Sequence, residues 1–170
     1  GLPSYTALKN ALATATDAEA SGLNLNMWGT IVNRDGVVCA VAYTGTNRGA
    51  QWPGSRVISA QKANTANAFS LDASAHSGVN GGALVLSTAN LFSAVQPGGS
   101  LFGLQESNPV NTAVAYKGPS TRYGTSNDPM VGEKIGGINV FGGGLALYDS
   151  NNKLVGGIGV SGDTSCSDHN

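Results

Sequence analysis

The sequence predicts an α+β fold in which helices cover an antiparallel sheet, and three observations carry that prediction. Apolar residues recur at helical spacing near the N-terminus and again after position 55, they give way to short β-branched runs in two hairpin-like stretches, and the second of these hairpins is loaded with glycine. Hairpins near both ends with helices between them point to one antiparallel sheet rather than a parallel βαβ array. At 170 residues the chain has the length of a single domain, 1–170, and is long enough to bury roughly two-thirds of its unfolded surface.

The elements follow in order. Ser4 reads as an N-cap, and Ala7, Leu8, Ala11, Leu12 and Ala15 form the apolar stripe of a first helix that Gly22 stops. From Leu23 the pattern changes. Leu25, Met27 and Gly29 to Val32 read as a strand, Asn33-Arg34-Asp35-Gly36 has turn chemistry, and Val37 to Tyr43 is a second apolar run, so the pair predicts a hairpin. A polar loop from Thr44 to Gly54 leads to Ser55 as N-cap of a second helix, with Ile58, Lys62, Thr65 and Phe69 on one stripe. A short third helix is expected over Ser87 to Val95, ended by Pro97-Gly98-Gly99. Between Ser100 and Val131 turn formers alternate with isolated apolar residues, which predicts irregular structure, one short strand near Val114 to Tyr116, and the rim of a pocket. The last segment reads as a hairpin: Ile138 to Phe141, a Gly142-Gly143-Gly144 break, Leu145 to Tyr148, a turn over Asp149 to Asn152, and Leu154 to Val160. Glycines inside such strands mark bends or a close approach by another element.

Composition excludes several partners. Nine basic and ten acidic residues give a net charge of -1, too little field to neutralise phosphates, so no nucleic acid is expected. No apolar run reaches the 18 or so residues of a membrane span, and the first residues lack the pattern of a signal peptide, so the chain reads as mature and soluble. Charged residues are only 11% against roughly 25% in ordinary soluble proteins, a low-charge, Asn/Ser/Thr/Gly-rich surface that fits an exported, secreted or periplasmic protein. The two cysteines, Cys39 and Cys166, share no metal or redox spacing; they read either as two separate thiols or as a long-range disulfide worth about 4 kcal/mol in the chain-entropy model.

Several motifs compete with plain structural readings. Gly157-Ile158-Gly159-Val160-Ser161-Gly162 matches GxGxxG, but a dinucleotide fingerprint opens a βαβ unit and needs an acidic residue about twenty positions on, which this position does not offer, so the glycines read as a tightly packed strand. With no G-x-S-x-G elbow and only His76 and His169, a hydrolytic triad is not expected, and no acid/base pair can be located for another enzyme activity. Asp163, Cys166, Asp168 and His169 crowd into one segment; against a metal site stands a polar turn with Asp163 or Asp168 capping a helix. Arg56 and Lys62, six residues apart on the second helix, are either cations for an anionic ligand group or one solvated arginine and one lysine stem lying along apolar surface. Met27 and Met130 read as core filler before soft ligands.

The ordered set Ser55 to Ala66 (SRVISAQKANTA), Gln96-Pro97-Gly98-Gly99, Phe141-Gly142-Gly143-Gly144 and Gly156 to Cys166 (GGIGVSGDTSC) resembles the GlcG/HbpS family of haem-binding proteins over most of the chain. That resemblance implies a profilin-like three-layer α/β/α fold with an antiparallel sheet of about five strands, frequent assembly into homo-oligomers, and haem or a related tetrapyrrole as cofactor. Family members continue with a C-terminal helix after the Val160-Ser161-Gly162 turn, which the 1–170 domain is expected to lack, and the Asp163 to His169 tail resembles an exported branch, in keeping with a Cys39–Cys166 disulfide. On this reading the chain is an extracytoplasmic haem-binding or haem-sensing module. His169 and His76 are the iron-ligand candidates because neutral imidazole suits iron, and Arg56 or Lys62 meets the propionates. The rival expectation is a structural, oligomerising protein whose neutral surface packs without any ligand.

Overall fold

The computed structural model describes residues 1–74 and 82–170. Its centre is a four-stranded antiparallel sheet in the order β2-β1-β4-β3, built from β1 (Trp28–Asn33), β2 (Val38–Tyr43), β3 (Gly144–Tyr148) and β4 (Leu154–Ser161). The first hairpin closes through Asn33, whose Oδ1 accepts from the N–H groups of Asp35 and Val37 while Gly36 takes φ +76°. Successive side chains of a strand point to opposite faces, and each face of this sheet has its own helix.

On one face lies α1 (Tyr5–Ala18), started by Ser4, whose Oγ accepts from the Ala7 N–H at 3.2 Å. Leu8 buries itself among Ile31, Ala40 and Ala42, and Leu8 and Leu12 both close on Gly29. The opposite face carries α2 (Ser55–Phe69), packed on Trp28, Val32, Val38 and Val41 through Val57, Ala60 and Ala63. The α/β/α layering is therefore present, with four strands where about five were expected.

Glycine decides how close α2 can come. A methyl group at Gly157 would run into the carbonyl of Ala63, and one at Gly159 into the carbonyl of Ser59, so the GxGxxG stretch is a bare strip on which the helix backbone sits. Thr30 Oγ1 and Ser59 Oγ share a buried hydrogen bond of 2.7 Å across the same seam.

The remaining helices are short: α3 (Thr88–Leu91), α4 (Leu104–Ser107), α5 (Thr112–Ala115) and α6 (Ser165–His169), with 3₁₀ turns at Ser93–Val95 and Ser120–Arg122. The α3 region answers to the expected third helix, packing Leu91 and Val95 on Ile138 and Val140. Among the described residues no helix is long and apolar enough to cross a membrane.

Four local expectations fail, each for a visible reason. Val114 to Tyr116 is not a strand, because Asn111 caps α5 by accepting from the Val114 N–H. Ile138 to Phe141 joins no ladder: Gly136 and Gly137 turn the chain with φ +63° and +82°, and the Asn139 N–H goes to Thr65 Oγ1 at 3.0 Å. Leu23 to Met27 precedes β1 as irregular chain, since Asn24 takes φ +59° and Asp163 collects the N–H groups of Leu23 and Leu25. Ser55 is the first residue of α2 rather than its cap, and Gly54 ahead of it supplies no side-chain bond.

The disulfide is also corrected. Cys39 is half-buried on β2, in the cluster under α1, and Cys166 is exposed on α6; both are free thiols.

Candidate functional site

Both predicted cations of α2 are buried, each only 1% exposed, and each is paired with a carboxylate. Arg56 forks onto Asp128 through Nε (2.9 Å) and Nη2 (2.5 Å), gives Nη1 to the Ala115 carbonyl at 2.7 Å, and lies 3.6 Å from the ring centre of Tyr123. Asp128 also accepts from the N–H groups of Gly124 and Met130. This pair pins the 112–130 segment to α2 and leaves Arg56 neutralised.

Lys62 Nζ donates to Asp168 Oδ2 at 2.7 Å and to the Val160 carbonyl at 3.0 Å. Asp168 Oδ1 accepts from the N–H groups of Gly162 and Asp163. Burial pushes the Lys62 ammonium below the usual lysine range, opposed by Asp168, and pushes the Asp168 carboxyl up, opposed by Lys62. Asp163 experiences the reverse balance: burial raises its carboxyl, yet the N–H groups of Leu23, Leu25 and Thr164 outweigh it and hold it below the usual range. Neither aspartate is a helix cap; Thr164 caps α6, accepting from the Ser167 N–H. Asp163 and Asp168 bind the turn between β4 and α6, and among the described residues no three His, Cys, Asp or Glu side chains gather as a metal cluster.

That turn places α6 directly on the Phe141 to Gly144 stretch. A methyl group at Gly142 would strike the Ser165 carbonyl and come within 3.0 Å of His169 Cβ, so the glycine break is the seat of the C-terminal helix. Beside it run two adjoining clefts of 330 and 260 Å³ that share Phe141 and Ser165. Their walls are aromatic and half-open: Trp52 is 50% exposed, Phe92 45% and Phe141 47%, with the two phenyl rings 6.4 Å apart and tilted by 34°. Exposed rings gathered in one trough suit a flat apolar ligand.

Cys166 and His169, three residues apart on α6, both border the smaller cleft. His169 Nδ1 accepts from the Gly143 N–H at 3.2 Å, so the neutral ring carries its proton on Nε2. In that state the imidazole donates a hydrogen bond, and its binding of iron through Nε2 requires the other tautomer. Cys166 has no such commitment. The structure thus brings His169 and Lys62 to one trough, on either side of Asp168, and separates Arg56 from them. His76 lies outside the described residues. Met130 is wholly buried and Met27 nearly so, as core residues.

A further cleft of 490 Å³ opens at the N-terminal end of α2, over Trp28, Arg48, Tyr116 and Tyr123. It is larger than either cleft of the trough, but among the described residues no imidazole, thiol or thioether lines it. Sequence reasoning missed Asp128 and the aromatic walls, while the free Cys166 answers to the reading of two separate thiols rather than to the disulfide. Only Phe141 had a signal, in its place before the three glycines.

The layered α/β/α scaffold thus carries an aromatic trough bordered by Cys166 and His169 of its C-terminal helix. Residues 6–170 match the HbpS-like haem-degrading proteins, and the chain belongs to that family. Its fold is similar to that of PduOC, solved as a haem complex (TM-score 0.58, 21% identity, 95% of this chain and 81% of that one), and to the Klebsiella pneumoniae protein ORFY of the DUF336 family (TM-score 0.55, 24% identity, 94% and 79%). Among curated proteins there is no match.

Proposed function

We infer that this chain binds haem in the trough between Trp52, Phe92, Phe141 and α6. The carrying observation is that Cys166 and His169 emerge from one turn of α6 beside the tilted Phe92–Phe141 pair, so an iron donor and a surface for the flat ring stand together. Membership in a haem-degrading family and the fold shared with a haem-bound protein support the same ligand. Haem supplies an iron centre and a wide apolar ring. The residues present would hold it by stacking its ring on Phe92 and Phe141, with Cys166 Sγ as the iron donor and His169 Nε2 donating to a polar edge of the ligand. Arg56 and Lys62 have no free charge for propionates, since Asp128 and Asp168 already neutralise them.

Haemin titration followed at the Soret band tests this reading. Wild-type protein shifts the band; Cys166→Ala removes or moves the shift; Phe141→Ala weakens binding several-fold, as expected for losing about 1 kcal/mol of ring contact; His169→Ala keeps the coordination spectrum with reduced affinity. An unshifted band in wild-type protein refutes the site, and a His169→Ala variant with the spectrum of Cys166→Ala transfers the iron to the imidazole.

Haem sensing, secreted or periplasmic placement and assembly into homo-oligomers belong to the same proposal. They are supported by the 11% charge content and by aromatic rings that stand open on the trough. Cell fractionation, and sedimentation with and without haemin, check them: a cytoplasmic monomer in both states rejects placement and assembly.

A further inference from the structure

We propose that the 490 Å³ cleft at the start of α2 is a second binding site, separate from the trough, for a planar aromatic carboxylate of one or two rings. Four features combine there. Gly54, Arg56 and Val57, at the start of a 15-residue helix, line it; the Ser55 and Arg56 N–H groups donate to the Trp52 and Pro53 carbonyls, and the first turn has neither an acidic residue nor a side-chain cap, so no carboxylate of its own offsets the positive end of the helix dipole. Arg48, an exposed side chain of the preceding loop, adds a cation at the rim. Tyr116, 60% exposed, and Tyr123 supply ring faces. Trp28 lines the same cleft, is 1% exposed, and its buried indole Nε1–H has no acceptor among the described residues.

A buried donor left without an acceptor costs on the order of 1–3 kcal/mol, which an arriving oxygen recovers. The nearest acidic side chain, Asp128, is consumed by Arg56 and by the N–H groups of Gly124 and Met130, and does not repel an incoming anion as a free carboxylate would. The cleft therefore offers a ring slot, a cationic end and one unused donor, the complement of an aromatic acid. The cleft shares no lining residue with the trough, so this inference stands apart from the haem reading.

The test uses 2-naphthoate, with 2-naphthylmethanol as the neutral control, and follows the indole N–H resonance of Trp28 by NMR in a Trp52→Phe background that leaves a single indole. The proposal expects a saturable shift with naphthoate, a far weaker response to the alcohol, an affinity lower by about tenfold in Arg48→Ala, the size of one charge-assisted hydrogen bond, and an unaltered response in Cys166→Ala. An indole that does not shift, an equal response to the alcohol, or an Arg48→Ala variant of unchanged affinity overturns it. Haemin competing with naphthoate for the Trp28 signal also overturns it, by making this cleft part of the haem site.

Discussion

At the scale of single residues, two carboxylates control the charges on α2. Asp128 and Asp168 are each almost fully buried and each satisfies backbone N–H groups as well as a cation, so neither pair can lose a member cheaply. Removing one partner of such a pair costs about 3–5 kcal/mol, whereas replacing both by apolar residues is often neutral. Lys62→Met should therefore lower stability by about 3–5 kcal/mol, and Lys62→Met/Asp168→Asn, which keeps an oxygen for the N–H groups of Gly162 and Asp163, should recover most of it in urea unfolding; a double variant as unstable as the single would deny the pair this role. The same pair predicts a pH dependence. Burial raises the Asp168 carboxyl in the folded state, so its contribution favours folding below the ordinary carboxylate range and is lost as pH rises through the raised value. Burial lowers Lys62, so stability is regained as pH rises through the depressed value towards the ordinary lysine range. The difference in unfolding free energy between wild-type and double-variant protein should fall and then rise across that span; a flat difference would contradict it. None of this was legible in the sequence, where Asp128 and Asp168 lie 72 and 106 positions from their partners.

At the scale of elements, what could be read was what local chemistry decides. The Ser4 cap, Leu8 and Leu12 of the α1 stripe and the Asn33 to Gly36 turn depend on neighbours a few positions away and fold as their patterns say, whereas α2 forms as a helix but packs on the sheet through Val57, Ala60 and Ala63 rather than the stripe of Ile58, Lys62, Thr65 and Phe69. Ile138 to Phe141 misled because its β-branched run was overruled by two glycines at positive φ and by a hydroxyl from α2. The glycines themselves were read correctly as close approach, and that has a measurable cost. Gly159→Ala puts a methyl group against the Ser59 carbonyl under α2 and should destabilise the protein by about 1–3 kcal/mol. Unchanged denaturant midpoints would mean that α2 does not sit on the strand as described.

At the scale of the whole molecule, the sheet separates two functions of packing. Its α1 face packs Leu8 on β1 and β2 and leaves a cleft of 140 Å³ over Leu145 and Ile158, while the α2 face holds the buried charges and carries the larger clefts at its margins. A sheet covered by helices was legible in the periodicity, and the three-layer arrangement and the family in the resemblance of an ordered set of motifs, whose glycines at 142, 157 and 159 are the places where α6 and α2 sit on the strands. The trough was not, since its walls come from Trp52, Phe92 and Phe141, which only the fold brings together. The disulfide expectation failed for the same reason: nothing local says that Cys39 lies under α1 and Cys166 on the far edge of the trough. That free thiol is the centre of the account. It is tested most directly by the electron paramagnetic resonance spectrum of the ferric haem complex of wild-type and Cys166→Ser protein. A thiolate signature in the first that disappears in the second is the predicted result; identical spectra from the two proteins would contradict it.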